Sequence, residues 1–212
     1  VRELLATEFL TSLGVPTSQT FSIIETAEEL QRNDEPSPTR SAVLVRRSNS
    51  HIRIGTFQRL KYFNEYDNIA LLLNHLNENY FTNIKPQKNI KSLAENIFLE
   101  SVKRISESIG RIIISGFVHG VLNTDNFNIT GEVFDYGPWR FIEFANTSFT
   151  AAYFDNNGRY SFGRQPEAAL WALTQLGKSL DEFIEENIII ETLNQFSKSF
   201  HVSLKKHFCW RM

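Results

Sequence analysis

The stretch HGVLNTDNFNITGEVFDYGP, residues 119–138, decides the fold because it sets two oxygen ligands on either side of a turn. Asn126 carries an amide oxygen and Asp135 carries a carboxylate, and Mg²⁺ prefers oxygen ligands of this kind. Between them, Thr130-Gly131 predicts the turn of a hairpin that brings the two side chains together. The stretch therefore predicts a cation site suited to nucleotide phosphates.

The spacing of this stretch matches a known type of catalytic loop. Protein kinases and small-molecule phosphotransferases share the pattern H-[RG]-D-x-x-x-x-N, followed by a hairpin and then by D-F-G. His119, Asn126 and the triplet Asp135–Gly137 stand at the matching positions, but Val121 replaces the catalytic aspartate. The joint spacing favours a nucleotide-binding loop over the alternative, a polar hairpin built from ordinary turn-forming residues. In such a loop, His119 is expected to hold the backbone in place.

Composition argues against several classes of protein. The 212 residues suffice for one large domain or two small lobes, and a formal net charge of -2 does not favour a surface for nucleic acids. No apolar run is long enough to span a bilayer, so neither a membrane nor a nucleic acid is an expected partner. Cys209 is the single cysteine, which excludes an intrachain disulfide and favours a reducing compartment.

Apolar periodicity predicts the order of helices and strands. The order is consistent with an α+β, protein-kinase-like bilobal fold from its αC helix onward, mostly the helical C-lobe with a remnant of the N-lobe sheet. Residues 1–60 are predicted to be the N-lobe remnant, with an αC-like helix and following strands. Residues 61–212 are predicted to be the helical C-lobe with the catalytic-type loop and the DFG-like hairpin. The individual predictions are helix 2–13, strand 20–25, loop 33–40, strand 42–46, helices 67–79 and 92–114, strand 132–134, and helices 166–180 and 180–201.

The chain is rich in aromatic side chains, with Phe 18 times and Trp 3 times in the sequence. This content fits a well-buried two-lobed domain better than a platform on which bases stack. Trp139, Phe141, Phe144 and Trp171 are therefore predicted to belong to the core.

Further stretches make the resemblance to a known family specific. Beside HGVLNTDN and DYGP, the chain carries LGVPTS at 13–18, SHIRIGTFQ at 50–58 and FDNNGRYSFGRQPEAALWAL at 154–173. These stretches resemble the selenoprotein O family (SelO), over nearly the whole chain. The resemblance implies a kinase-like fold and the transfer of AMP, rather than phosphate, from ATP to Ser, Thr or Tyr hydroxyls of proteins. It also implies a flipped nucleotide whose α-phosphate faces the acceptor.

The resemblance assigns roles to three residues of the loop. The family lacks the kinase aspartate at the position of Val121, and its carboxylate stands instead at Asp125, which is the implied general base toward the acceptor hydroxyl. A residue that only forms a turn is the alternative for Asp125. Asn126 and Asp135 are the implied ligands of Mg²⁺, with Mn²⁺ as the alternative ion, and Asp135 is also implied in nucleotide binding.

Three charged residues outside the loop are implied as well. Arg46 and Arg53 match family positions that contact the phosphates of ATP, a task suited to the planar guanidinium group. Two surface arginines that flank a turn are the alternative. Glu3 matches the αC glutamate, whose lysine partner is expected upstream of Val1 together with a glycine-rich loop.

Three classes of function remain open from the sequence. Protein adenylylation is the first prediction, and a catalytically inactive nucleotide-binding pseudokinase or a phosphotransferase are the alternatives; Val121 argues against phosphotransfer. The chain starts without Met and is expected to be a truncated family member with impaired activity. The expected partners are ATP and acceptor proteins. The expected location is the cytoplasm for a bacterial source and the mitochondrion for a eukaryotic one.

Overall fold

The computed structural model describes residues 1–31, 37–85, 87 and 89–212, and within them the chain is α+β and mostly helical. Single-turn 3-10 helices cover Thr124–Asn126 and Phe162–Arg164. The strands are β1 (Gln19–Leu30), β2 (Thr39–Arg47), β3 (Phe117–Val118) and β4 (Arg140–Phe141). The helices are α1 (Arg2–Ser12), α2 (Ile54–Tyr62), α3 (Tyr66–Asn79), α4 (Ile90–Ser115), α5 (Gln165–Ser179) and α6 (Glu186–Arg211).

The long helix α4 organises the core because its apolar residues recur every three or four positions. Asn89 begins the helix by accepting a hydrogen bond from the Ser92 amide at 2.9 Å, and Gly116 ends it with a left-handed φ of 71°. Helices α3, α5 and α6 all pack against α4. The apolar residues that α4 buries are Leu93, Ala94, Ile97, Phe98, Val102, Ile105, Ile109 and Ile112.

Strands β1 and β2 form an antiparallel ribbon that packs on α1. Their pairing sets Thr20 opposite Arg46, which carries Arg46 to the end of the ribbon next to α1. Farther along the ribbon, Phe21, Ile24 and Val43 are exposed. The ribbon therefore contributes one arginine to the site through backbone pairing and buries little of its own apolar surface.

Most of the predicted helices and strands are confirmed, with shifted ends. Helices α1, α3, α4 and α5 occupy the predicted ranges to within a few residues, and β1 and β2 are both longer than the strands predicted there. The helix predicted at 180–201 begins later, at Glu186, because the amides of Phe183 and Ile184 bond to the Leu180 carbonyl in a turn. That helix then continues to Arg211.

The strand predicted at 132–134 is wrong. Only Val133 pairs there, through isolated bridges to Thr17 and Phe127. The imidazole of His119 lies 3.0 Å from the Phe134 carbonyl, and the Tyr136 hydroxyl donates to the Val133 carbonyl. In the described part of the chain, backbone pairing here is limited to the bonds that flank the Phe127–Val133 bridge, and the carbonyls of Val133 and Phe134 bond to side chains instead.

The loop predicted at 33–40 is only partly testable, and one helix was not predicted. Residues 33–36 lie outside the described residues, whereas Thr39 and Arg40 belong to β2, against the prediction. Helix α2 escaped prediction because it is only 9 residues long, too short for its apolar positions Ile54, Phe57 and Leu60 to be told from a strand or a loop by periodicity. Its burial of Ile54 and Phe57 is decided by packing against the rest of the chain.

The predicted placement of the aromatic residues in the core is wrong for two of them. Phe144 is 76% exposed and Trp171 is 48% exposed, whereas Trp139 and Phe141 pack against the core. Helix α5 buries its alanine and leucine face, so that Trp171 is left on the opposite side. An apolar side chain of this size on the surface is a candidate contact for another molecule.

Because α4 and α6 pack closely at Gly110, a larger side chain at this position is expected to destabilise the fold. A Cβ on Gly110 would lie 2.9 Å from the Ser203 Cβ, closer than packed carbon atoms approach. Gly110→Val should therefore lower the free energy of unfolding by about 1–3 kcal/mol, measured by urea denaturation. Ser197→Val, which places the same side chain on an exposed position of α6, is the control and should change little. Equal effects of the two variants would contradict the close packing.

Candidate functional site

Glu3 on α1 holds the backbone of Asp135 and Tyr136. Its two carboxylate oxygens accept hydrogen bonds from the amide of Asp135 at 3.1 Å and from the amide of Tyr136 at 2.7 Å. Asp135 has a φ of 59°, in the left-handed region that residues other than glycine rarely adopt. The two hydrogen bonds offset the strain of this conformation, which aims the Asp135 side chain away from the turn.

Two arginines converge on the Asp135 carboxylate. Arg46 donates to Glu3 at 2.8 Å through Nη1 and to Asp135 Oδ1 at 2.5 Å through Nη2. Arg53 approaches Asp135 Oδ2 at 3.1 Å. Each carboxylate oxygen of Asp135 is therefore paired with a different guanidinium group, and all four side chains are partly buried. We call Glu3, Arg46, Arg53 and Asp135 the charge cluster.

The ring of Phe134 supports both arginines of the charge cluster. The guanidinium carbon of Arg46 lies 4.9 Å from the ring centroid and that of Arg53 lies 4.4 Å from it. A cation that lies over an aromatic face is attracted to the ring electrons. Phe134, the residue directly before Asp135, thus helps to fix where the two positive charges lie. It was not predicted as a site residue.

Burial sets the electrostatics of Glu3. Loss of water around the side chain raises the pKa of the Glu3 carboxyl, and the nearby Arg46 charge and the Tyr136 amide partly oppose this effect. The charge cluster joins two carboxylates to two guanidinium groups, so it is balanced without any bound ion. An incoming anion or cation must exchange with a partner that is already there.

Asn126 is oriented by its own loop. Its side-chain amide donates to the Val121 carbonyl at 2.6 Å, and its backbone carbonyl receives the Phe134 amide at 3.4 Å. Because the NH₂ group is used in this way, the side-chain oxygen is the atom available to a cation. The backbone bond to Phe134 places Asn126 beside the residue that precedes Asp135.

Asp125 is exposed and lies against the first turn of α2. The Asn123 side chain accepts a hydrogen bond from the Asp125 amide at 3.0 Å, which fixes the backbone of the 3-10 turn. A Cβ on Gly55 would lie only 2.0 Å from Asp125 Oδ1. The carboxylate therefore occupies space that only a glycine at position 55 leaves open.

His119 is a fully buried, neutral part of the loop. Burial lowers the pKa of the imidazole to about 4. Nδ1 accepts the Val121 amide at 3.3 Å, which leaves the proton on Nε2 to be donated to the Phe134 carbonyl at 3.0 Å. His119 thus ties the 119–126 loop to the segment before Asp135, as the sequence pattern led us to expect.

The structure brings together four of the six predicted site residues. Glu3, Arg46, Arg53 and Asp135 are in direct contact, whereas Asp125 and Asn126 stand on the neighbouring loop without a hydrogen bond to the charge cluster. Sequence reasoning missed Phe134 and Gly55. The signal for Gly55 was present in SHIRIGTFQ, where a glycine precedes an apolar helical pattern.

The donor set fits a hard divalent cation only in part. Asn126 and Asp135 each offer one side-chain group with an oxygen that could bind a cation, and among the described residues no group of three or more His, Cys, Asp and Glu side chains is close enough to hold a metal ion. Mg²⁺ commonly takes one or two protein ligands and completes its shell with phosphate oxygens and water. The arrangement therefore suits an ion that arrives with a phosphate ligand better than a permanently bound one.

Comparison with known proteins gives the family. The family model described as "Protein adenylyltransferase SelO" matches residues 1–212, so the chain belongs to the SelO family. A protein of Synechocystis sp. named "Protein nucleotidyltransferase YdiU" is 44% identical over 200 residues, 94% of this chain and 42% of the relative. Proteins of the same name from Trichormus variabilis and Gloeobacter violaceus are 46% identical over 201 residues and 51% identical over 166 residues.

The relatives are much longer than this chain. The alignment covers 95% of the chain but 41% of the Trichormus variabilis protein, and 78% of the chain but 34% of the Gloeobacter violaceus protein. The chain thus spans about two fifths of the length of the first of these relatives. In the described part of the chain, no helix combines the length and the apolarity that a bilayer crossing requires.

The buried histidine predicts a pH dependence of stability. Between its ordinary pKa of 6.5 and about 4, the unfolded chain binds a proton at His119 that the folded chain does not. The stabilisation is therefore complete above pH 6.5 and is lost as the pH falls toward 4, by about 3 kcal/mol at most.

Urea denaturation at a series of pH values tests this dependence. His119→Gln removes the titrating group but keeps a donor and an acceptor, so its stability should fall less steeply between pH 6.5 and 4. The other titrating groups are the same in both proteins and cancel in the comparison. Parallel curves for the two proteins would show that His119 does not carry a lowered pKa.

Proposed function

We propose that this chain belongs to a protein adenylyltransferase that moves AMP from ATP to a Ser, Thr or Tyr hydroxyl of an acceptor protein. The observation that carries the proposal is the charge cluster, in which Arg46 and Arg53 flank the Asp135 carboxylate. The family name "Protein adenylyltransferase SelO" and the relatives named protein nucleotidyltransferases support it. The fold is proposed to be kinase-like and bilobal, with residues 1–60 as N-lobe remnant and 61–212 as C-lobe.

The reaction needs phosphate binding, a cation and a base. The acceptor oxygen forms a bond to the α-phosphorus of ATP, the bond between that phosphorus and the oxygen bridging to the β-phosphate breaks, and pyrophosphate leaves. Arg46 and Arg53 bind the phosphates, because guanidinium groups stay charged and donate two parallel hydrogen bonds. Asn126 and Asp135 are the proposed ligands of Mg²⁺ or Mn²⁺, which when bound supplies positive charge to the phosphate oxygens.

Asp125 is the proposed general base. It is exposed on the 3-10 turn next to Asn126, so its carboxylate is open to an acceptor hydroxyl and takes up its proton. The position where a kinase carries its aspartate holds Val121, whose side chain cannot take up a proton. The valine argues against phosphotransfer by the usual kinase route. If ATP binds but no AMP is transferred, the protein is instead an inactive nucleotide-binding protein.

The charge cluster couples the two ligands. In the absence of phosphate, Arg46 and Arg53 neutralise the Asp135 carboxylate and compete with a cation for it. Phosphates that attract the arginines free the carboxylate for the cation, and the cation in turn favours the phosphates. ATP and the divalent ion are therefore expected to bind together far more tightly than either binds alone.

The division of labour between the two aspartates predicts different losses. In the full-length protein, Asp135→Ala should abolish Mg²⁺-dependent ATP binding, measured by isothermal titration calorimetry. Asp125→Ala should leave ATP binding unchanged and lower AMP transfer by about 10²–10⁴-fold, measured by the mass increase of an acceptor protein. Asp181→Ala, in an exposed pair with Lys61, is the control and should change neither. Equal loss of ATP affinity in both site variants would refute the assigned roles.

The close approach of Gly55 to Asp125 predicts an indirect loss of transfer. Gly55→Ala forces the carboxylate to move, because the new Cβ would lie 2.0 Å from Oδ1, and a displaced catalytic group costs about 10²-fold in rate. The ATP affinity of Gly55→Ala should stay within about twofold of that of the unchanged protein. A twofold change corresponds to ~0.4 kcal/mol, which is the size of effect that most surface substitutions have.

The double variant separates displacement from general damage. If Gly55→Ala acts through Asp125, it should have no further effect on transfer in the Asp125→Ala background, because the displaced group is already gone. An equal loss in both backgrounds would mean that Gly55 acts in another way.

A further inference from the structure

A small cavity of about 140 Å³ lies beside the loop that carries Asp125. Leu122 closes its floor and is three residues from Asp125, so the two Cα atoms are at most about 11 Å apart. The remaining wall comes from α5 and the segment before it. The lining includes Leu122, Arg159, Tyr160, Arg164, Glu167 and Trp171.

The cavity is held rigidly against the loop by Gln165. This side chain, at the start of α5, accepts the His119 amide at 3.1 Å and donates to the Phe117 carbonyl at 2.9 Å. It is fully buried. Because the same side chain anchors both the loop and α5, anything bound in the cavity stands at a fixed distance from Asp125.

Trp171 is the largest apolar side chain that lines the cavity. It is 48% exposed, whereas Ala168, Ala169, Ala172 and Leu173 on the same helix are buried. Exposed tryptophans beside a cavity are frequent anchors of protein–protein contacts. A volume of about 140 Å³ is comparable to an apolar cavity of ~150 Å³ that accepts a benzene ring, so one Leu, Met or Phe side chain fits.

The cavity also offers one positive charge. Arg164 is used by Glu167, to which it donates through two nitrogens at 2.8 and 3.0 Å. In the described part of the chain the Arg159 guanidinium forms no ion pair. The nearest acid in sequence, Asp155, accepts the backbone amides of Arg159 and Tyr160, both at 2.8 Å. The lining therefore carries one arginine more than it has carboxylates to pair with it.

We propose that this cavity docks the acceptor protein, an inference that rests on the proposed adenylyl transfer. An extended acceptor segment places one apolar side chain in the cavity against Trp171 and one carboxylate on Arg159. Leu122 on the cavity wall is at most about 11 Å from Asp125, and at about 3.3 Å per residue an extended acceptor segment covers that distance in about three residues. The hydroxyl that receives AMP thus lies two to four residues from the apolar anchor, and the acidic residue lies beside that anchor.

Peptide acceptors test the proposal in the full-length protein. The first peptide carries a single Ser, a Leu three residues away and an Asp next to the Leu; the second replaces Leu by Gly, and the third replaces Asp by Lys. AMP incorporation is measured by mass spectrometry as kcat/KM. The Leu-Asp peptide should exceed the Gly peptide by about tenfold or more, as expected for an apolar side chain that fills a pocket.

Variants of the cavity assign the preference to particular residues. Trp171→Ala should remove the advantage of Leu over Gly, and Arg159→Glu should reverse the preference from Asp to Lys. Trp210→Ala and Arg59→Glu change an exposed Trp and an exposed Arg that do not line the cavity and should leave both preferences intact. The affinity for ATP should not change in any of the four variants.

Binding separates this inference from the proposed function. Fluorescence anisotropy of the labelled Leu-Asp peptide measures docking independently of AMP transfer. Peptide binding that is lost in Trp171→Ala supports docking in the cavity. If such binding occurs but no AMP is incorporated, only the transfer proposal fails. Equal kcat/KM for all peptides, or no peptide binding, overturns the docking proposal. A dimer in sedimentation that Trp171→Ala converts to a monomer also overturns it, in favour of self-association.

Discussion

The site depends on two hydrogen bonds, which the Glu3 carboxylate accepts from the backbone amides of Asp135 and Tyr136. It holds Asp135 at a left-handed φ of 59° that the residue would rarely adopt alone. Because Glu3 also binds Arg46, the same carboxylate sets the direction of the Asp135 side chain and the position of the arginine that meets it. Helix α1, the ribbon and the loop after the hairpin are joined at this one group.

The guanidinium groups of Arg46 and Arg53 lie over the Phe134 ring and pair with the Asp135 carboxylate. Under the proposed function, phosphate would draw the two arginines away from Asp135. The arrangement would then favour a cation that arrives with a nucleotide over one that is bound permanently. Asp125 stands apart from the charge cluster on the exposed turn, and in the described part of the chain no guanidinium group forms an ion pair with it.

The surface that carries Asp125 continues into the surface around α5. Gln165 ties the start of that helix to the loop, so the cavity under Trp171 and the proposed base keep a fixed separation. A transferase that acts on proteins needs such a fixed reference, because the acceptor hydroxyl must meet the base within hydrogen-bond reach. Trp171 is exposed, and Arg159 forms no ion pair with any residue that the structure describes, which is the chemistry on which the proposed docking of an acceptor segment rests.

The sequence by itself determined the long helices and identified four charged residues that the structure brings together, Glu3, Arg46, Arg53 and Asp135. It could do so because helical periodicity and motif spacing are local properties. It also placed His119 correctly as a support of the loop. Only the tertiary structure decided that pairing at 132–134 is limited to the isolated bridges of Val133 and that the first turn of α2 lies against Asp125. Likewise, Trp171 faces outward because α5 buries its alanine face. These outcomes depend on contacts between residues far apart in the chain, and a local sequence pattern carries no information about such contacts.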